Sequence, residues 1–120
     1  MTAANPLPDP SDGFELSVEK VSLLAPLIAD GSILLVDCRE QDEWDFNHLP
    51  NAILVPMSRF QEAAKTLASA DKPAIVYCHH GIRSLQATRW LRSCGLEQCW
   101  SMQGGIDNWS DRIDTTVPKY

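Results

Sequence analysis

Two short apolar runs constrain this chain more than anything else in it. Ile33-Leu34-Leu35-Val36 ends in Asp37, and Ala74-Ile75-Val76-Tyr77 ends in Cys78. Each is continuous, rich in branched side chains, and carries no polar residue at alternate positions. A strand apolar on both faces must be covered on both faces, as in a parallel sheet packed between helices. Weaker strand patterns fall at residues 52–55 and 98–101, with a short edge strand at 14–16. Helical spacing fills the intervals. Val18, Val21, Leu24, Ala25 and Ile28 follow it behind the capping residue Ser17, and Pro26 should break or kink that helix. A short acidic helix is expected over 40–46 and another on Phe60, Ala63, Ala64, Leu67 and Ala68. A further helix rests on Leu85, Ala87, Thr88, Leu91 and Cys94 and closes at Gly95, and a last short one covers 106–109. Strand and helix alternate, so the fold class is α/β with a mostly parallel sheet.

The 120 residues amount to one domain. Ten Lys plus Arg stand against 16 Asp plus Glu, and the net charge of −6 argues against a nucleic-acid binder. No apolar run approaches the ~20 residues that span a bilayer, so no membrane role is expected. Residues 1–13 hold Pro6, Pro8 and Pro10, no basic residue and no apolar stretch. They read as a flexible N-terminal arm rather than a signal peptide, which leaves 14–120 as the folded domain. Cys38, Cys78, Cys94 and Cys99 form no Cys-x-x-Cys pair and no zinc-type cluster. Without an export signal they are expected as reduced thiols of a cytoplasmic protein. Cys38, Cys94 and Cys99 are expected to fill buried apolar positions.

Cys78 stands apart. It opens the stretch Cys78-His79-His80-Gly81-Ile82-Arg83-Ser84, which joins the end of a buried strand to the start of a helix. Ligands of open α/β sheets bind at the carboxyl ends of strands. A loop that opens a helix turns backbone N–H groups inward as a cradle for negative charge. Gly81 lets such a loop curl, and Arg83 adds a fixed positive charge. A thiol there should titrate low and act as a nucleophile.

Four segments then resemble the rhodanese-like sulfurtransferases, in the family's order. Residues 35–44 look like its first signature, with Asp37 and Arg39 either side of one residue. His48-Leu49-Pro50-Asn51-Ala52 resembles its G-H-I-P-G-A segment, with Asn47 and Asn51 in place of the two glycines. Residues 78–84 match the active-site loop, and Gly104-Gly105-Ile106-Asp107-Asn108-Trp109 resembles the closing signature. The resemblance implies a three-layer sandwich over residues 14–120, with a mostly parallel five-stranded sheet flanked by helices. It implies that Cys78 takes a sulfane sulfur from a donor such as thiosulfate, becomes a persulfide, and passes the sulfur to a thiol or cyanide. The loop from His79, His80, Gly81 and Ile82 to Ser84 would hold the sulfur and its charge, and Arg83 would help bind the anionic donor. No metal or organic cofactor is implied, and a sulfur-relay protein is a conceivable partner. Asp37 and Arg39 are expected as a structural ion pair, His48 as a structural hydrogen-bonding residue, and the tryptophans as packing.

Two rival readings compete. Phosphatases and arsenate reductases use a related loop with five residues between Cys and Arg, whereas only His79, His80, Gly81 and Ile82 intervene here. The shorter loop suits one sulfur better than a tetrahedral oxyanion. A persulfide carrier or docking rhodanese module that acts only with a protein partner is the other rival. Cys38 follows Asp37 at a strand end as Cys78 follows Tyr77, so the two thiols could pair. The expectation is instead that Cys38 points into the core, out of reach.

Overall fold

The computed structural model describes residues 6–120. In chain order the elements are β1 (Glu15–Leu16), α1 (Val18–Leu23), α2 (Ala25–Ala29), β2 (Leu34–Asp37), α3 (Gln41–Phe46) and β3 (Ile53–Leu54). They continue with α4 (Phe60–Ser69), β4 (Ala74–Tyr77), α5 (Ile82–Ser93), β5 (Cys99–Met102) and α6 (Gly105–Arg112). The five strands form one sheet in the order β1-β5-β4-β2-β3, and every pairing is parallel.

The alternation of side chains along each strand explains the three layers. Leu35, Ile75, Tyr77, Trp100 and Met102 face one side, where Val18 and Val21 of α1, Leu24 between the helices, Ile28 of α2 and Ile106 of α6 cover them. Val36, Val76, Cys78 and Cys99 face the other, under Phe60, Ala64 and Leu67 of α4 and Ala87 and Leu91 of α5. Strand β4, and β2 up to its last residue Asp37, are therefore apolar because both their faces are interior. Each fully buried Leu or Ile in these layers contributes roughly 1.5–3 kcal/mol.

Pro26 acts as expected. The first helix ends at Leu23, and Pro26 sits in the first turn of α2, where its missing N–H costs nothing. Ser17 caps α1 through its hydroxyl to the Lys20 amide at 3.1 Å. Among the described residues no helix is long and apolar enough to cross a membrane.

Several expectations need correction. Of the arm expected over 1–13, residues 1–5 lie outside the described residues. The remainder makes contacts with the domain. Arg92 donates to the carbonyls of Pro10 and Gly13 at 2.8 and 2.7 Å, and Leu7 packs on the edge of the core. Cys94 is exposed at the end of α5 instead of filling the core, and Trp90 is 43% exposed rather than packed. Helix α5 begins at Ile82, three residues before its first apolar marker, because its opening turn faces a cradle and not the core.

Candidate active site

The carboxyl ends of β2 and β4 lie side by side at the centre of the sheet, and the chemistry-bearing residues gather there. The β2 end carries a charge that is fully consumed. Asp37 and Arg39 are both 0% exposed, and the guanidinium grips the carboxylate through Nε and Nη2 at 3.0 and 2.7 Å. Its remaining donors reach the Asn47 side chain and carbonyl at 2.8 and 2.7 Å and the Tyr120 hydroxyl at 2.8 Å. Burial works against the Arg39 charge, but these acceptors, Asp37 foremost, hold its pKa above the ordinary value. The structural ion pair expected from the sequence is thus present. Asn47, one of the two residues replacing glycine, supplies a partner a glycine side chain has none of. Asn51, the other, adopts φ 64°, a left-handed backbone that asparagine tolerates.

The β4 end carries a charge that is open. Cys78 is 1% exposed, and its Sγ receives the Gly81 amide at 3.1 Å, the Ser84 amide at 3.3 Å and the Ser84 hydroxyl at 3.4 Å. Ser84 Oγ lies 2.7 Å from Ser101 Oγ on β5, which fixes the hydroxyl in place. The thiol of Cys38 also faces Cys78 and is the strongest influence on it. Burial opposes ionisation, but the Cys38 contact, the Ser84 donors and the Gly81 amide together bring Cys78 down to about 5. The same contact and burial push the Cys38 thiol up, so one proton is shared unequally between the two. The negative charge belongs on Cys78 because the backbone donors are there.

The loop keeps this shape through Gly81 and the start of α6. Gly81 has φ 101°, and a side chain on it would press against the backbone of Gly104 at 3.0 Å. The amides of Ile106 and Asp107 bond the carbonyls of Cys78 and His79 at 2.8 and 3.1 Å. Those carbonyls are drawn toward α6, which leaves the opposite face of the loop to its amides. The approach is so close that a Cβ on Gly105 would overlap both carbonyls. The segment from Gly104 to Asp107 is therefore a clamp on the Cys78 loop. Composition and periodicity gave no sign of that role.

The remaining expected site residues divide. Ile82 is 72% exposed at the mouth of the loop. The first-turn amides of Ile82 and Arg83 have no carbonyl one turn back within their own helix to bond. The Arg83 charge interacts with the Cys78 and Cys38 sulfurs, but its hydrogen bonds go elsewhere. Its guanidinium makes a two-point pair with Glu43 of α3 at 2.8 and 2.9 Å. Arg83, more than burial resists it, holds the Glu43 carboxyl down at about 2. The His79 ring stacks on Tyr120 at 3.9 Å and on His80 at 3.8 Å, and burial lowers its pKa. Tyr120 links both charged centres, since its hydroxyl accepts from Arg39 and donates to Glu43 at 2.7 Å. Glu43 and Tyr120 were missed by sequence reasoning. Glu43 lies on the acidic helix, and a tail without periodicity gives no hint of where Tyr120 docks. His48 stacks on Trp44 and bonds its carbonyl at 3.0 Å, away from the loop. His79, His80 and Asp107 bring possible ligand atoms within 4.8 Å of one another. The Lys119 ammonium lies 3.4 Å from Asp107, and its charge competes with any cation there.

Comparison with known proteins bears on this geometry. Residues 20–112 match the rhodanese-like domain family. A thiosulfate sulfurtransferase of Coxiella burnetii, GlpE, is 34% identical over 90 residues, which cover 75% of this chain and 83% of that protein. A rhodanese-related protein from Thermoplasma volcanium superposes with a TM-score of 0.71 at 30% identity, covering 84% of this chain and 94% of the other. The human single-domain sulfurtransferase TSTD1 gives a TM-score of 0.66 at 27% identity, covering 83% and 97%.

Proposed function

We propose that this chain, which belongs to the rhodanese-like domain family, is a thiosulfate sulfurtransferase-like enzyme that works through a persulfide on Cys78. The observation that carries the reading is the Cys78 sulfur itself. It is a low-titrating thiolate held by two backbone amides and one hydroxyl, at the end of a central strand.

The first half-reaction follows from that arrangement. The Cys78 thiolate attacks the outer sulfur of thiosulfate, the S–S bond of the donor breaks, and sulfite leaves with its electron pair. The persulfide carries the negative charge on its terminal sulfur, one bond farther out. The first-turn amides of Ile82 and Arg83, without partners in their own helix, are donors available to that charge, and His80 and Ile82 are exposed in the same loop. In the second half-reaction an acceptor takes the terminal sulfur. Cyanide leaves as thiocyanate and a thiol leaves as a new persulfide, and either returns Cys78 as thiolate. Four residues between Cys78 and Arg83 give a cradle matched to one sulfur, which argues against phosphate as substrate.

Arg83 contributes to donor binding only in part, because Glu43 already neutralises it. The acceptor is a small thiol, cyanide or the cysteine of a relay protein, and four unpaired thiols suit a reducing, cytoplasmic setting. The experiment is mass spectrometry of the protein after thiosulfate treatment and removal of the donor. The reading requires one added sulfur atom, located on the peptide that contains Cys78. A protein that gains none, or gains it on another cysteine, overturns it.

A further inference from the structure

The mechanism leaves two buried thiols unused, Cys38 and Cys99, and Cys38 is the one beside the site. Cys38 is 0% exposed and follows the last residue of β2. The β2–β4 ladder pairs Leu34 with Ala74 and runs in step to Asp37 with Tyr77. The Cys38 amide carries it onward by bonding the Tyr77 carbonyl at 3.0 Å. The next residues opposite one another are Cys38 and Cys78. Neighbouring strands lie about 4.8 Å apart, inside the Cα separation of roughly 4.4–6.8 Å that a disulfide spans. Alternation sends both side chains to the same face, and both belong to the cluster under α4 and α5. The expectation that Cys38 points into the core is met, but the expectation that it lies out of reach of Cys78 is overturned, because the core at that point includes Cys78. No other thiol is comparably placed. Cys99 pairs with Ala74 at the far end of β4, and Cys94 lies exposed at the end of α5.

We propose that Cys38 is a resolving thiol, which displaces a leaving group carried by Cys78 Sγ and closes a Cys38–Cys78 disulfide. Two leaving groups apply. On the sulfur-transfer reading above, Cys38 sulfur attacks Cys78 Sγ of the persulfide. The Cys38–Cys78 bond forms and the bond to the terminal sulfur breaks. That sulfur leaves with the electron pair and takes the Cys38 proton as hydrosulfide. Independently of that reading, a peroxide oxidises the Cys78 thiolate to a sulfenic acid, and Cys38 expels its hydroxyl as water. Either way Cys38 and Cys78 end as a disulfide, and an external dithiol supplies the two electrons that reopen it. The attack is slow while Cys38 keeps its proton, since a thiol is a far poorer nucleophile than a thiolate. An acceptor in the mouth therefore takes the sulfur first. Discharge to hydrosulfide is the fate of a persulfide that meets none.

The test uses the wild-type protein in two anaerobic samples, one loaded with thiosulfate and freed of donor, one treated with a slight excess of hydrogen peroxide. Each is quenched with iodoacetamide and mapped by mass spectrometry. Peroxide should give a Cys38–Cys78 disulfide that dithiothreitol reverses, with Cys78 protected from sulfinic acid. The loaded sample should release one hydrosulfide for each disulfide formed. In Cys38→Val and Cys38→Ala the persulfide should persist roughly tenfold longer or more, and peroxide should carry Cys78 on to sulfinic acid. Wild-type protein in which Cys38 stays alkylatable while Cys78 is sulfinylated, or holds its persulfide indefinitely, overturns the proposal. Failure to load from thiosulfate sinks the sulfur-transfer reading alone, because the peroxide sample still decides the role of Cys38.

Discussion

The ends of β2 and β4 are adjacent, equally buried and each bears a negative group, yet they do opposite things. At β2 the Asp37 carboxylate meets a guanidinium whose donors all find acceptors. Nothing is left for a ligand, and the result is a rigid joint. At β4 the Cys78 thiolate meets dipoles without a formal charge of their own: two amides, a hydroxyl and a neighbouring thiol. Dipoles lower the cost of the charge without neutralising it, so the sulfur keeps a lone pair to donate. On the proposed mechanism, backbone donors also stay fixed while charge moves outward onto a second sulfur, which would preserve the site through both half-reactions. Reactivity at one strand end thus depends on how the negative group is satisfied, and rigidity at the other on the same choice made differently.

The largest expected effect removes the open charge. Cys78→Ser keeps the size and the hydrogen bonds but offers no sulfur, so thiosulfate-to-cyanide transfer should vanish while the unfolding midpoint stays near that of the wild type. Measurable transfer by a folded Cys78→Ser protein contradicts the comparison at its centre. The next effect belongs to the closed charge. Arg39→Met leaves Asp37 buried without its partner, and removing one member of such a pair costs about 3–5 kcal/mol. Urea denaturation should report that loss. A loss well below it means that water or Asn47 replaces the guanidinium and the joint is not closed.

Much of this contrast was legible in the chain. Two apolar runs placed β2 and β4, the Pro26 break and the Ser17 cap fell where the pattern put them, and Cys78 followed from its place between strand and helix. What stayed hidden depends on side chains distant in sequence. Arg83 looked like a ligand for the donor because its partner Glu43 lies forty residues earlier on a helix with an ordinary acidic surface. Tyr120 lies in a tail without periodicity and is placed by stacking on His79 and by the Arg39 and Glu43 bonds. The nearness of Cys38 to Cys78 is a matter of register. Adjacent strands could be inferred, but a shift of one residue would have turned the two thiols to opposite faces.

The dipoles at β4 make a smaller, graded prediction. With Cys78 near 5, its alkylation by iodoacetamide should rise with pH through that value and level off by neutrality. A free thiol is still gaining thiolate near ~8.5. The folded-state pKa is lowered, so the reactive form is present above it and lost as pH falls through it. Sulfur transfer should fall along the same curve. Ser84→Ala deletes one donor and should move the midpoint upward by about one unit, since a hydrogen bond to a charged group is worth about 1.5–3 kcal/mol at most sites. A midpoint that does not move assigns the stabilisation to Cys38 and the two amides.

The smallest effect tests whether the two ends are as separate as their chemistry suggests, because Glu43 and Tyr120 bridge them. Glu43→Gln keeps the shape of the side chain and removes its charge. The pair with Arg83 is only partly buried, with side-chain exposures of 35% and 18%, so stability should fall by no more than about 1 kcal/mol. The consequence for donor binding is the sharper readout. Arg83 lies five residues after Cys78 with its charge cancelled by a two-point carboxylate grip. Once released, that charge adds to the field at the loop mouth. The KM for thiosulfate, a dianion, should drop several-fold with kcat nearly unchanged, and its dependence on ionic strength should steepen. Replacing both residues, Glu43→Gln with Arg83→Met, should return KM to or above the wild-type value. If Glu43→Gln instead raises KM, the carboxylate serves to position Arg83 toward the donor. Arg83 would then be held for binding, and the charge at the β4 end would be less open than the dipoles alone imply.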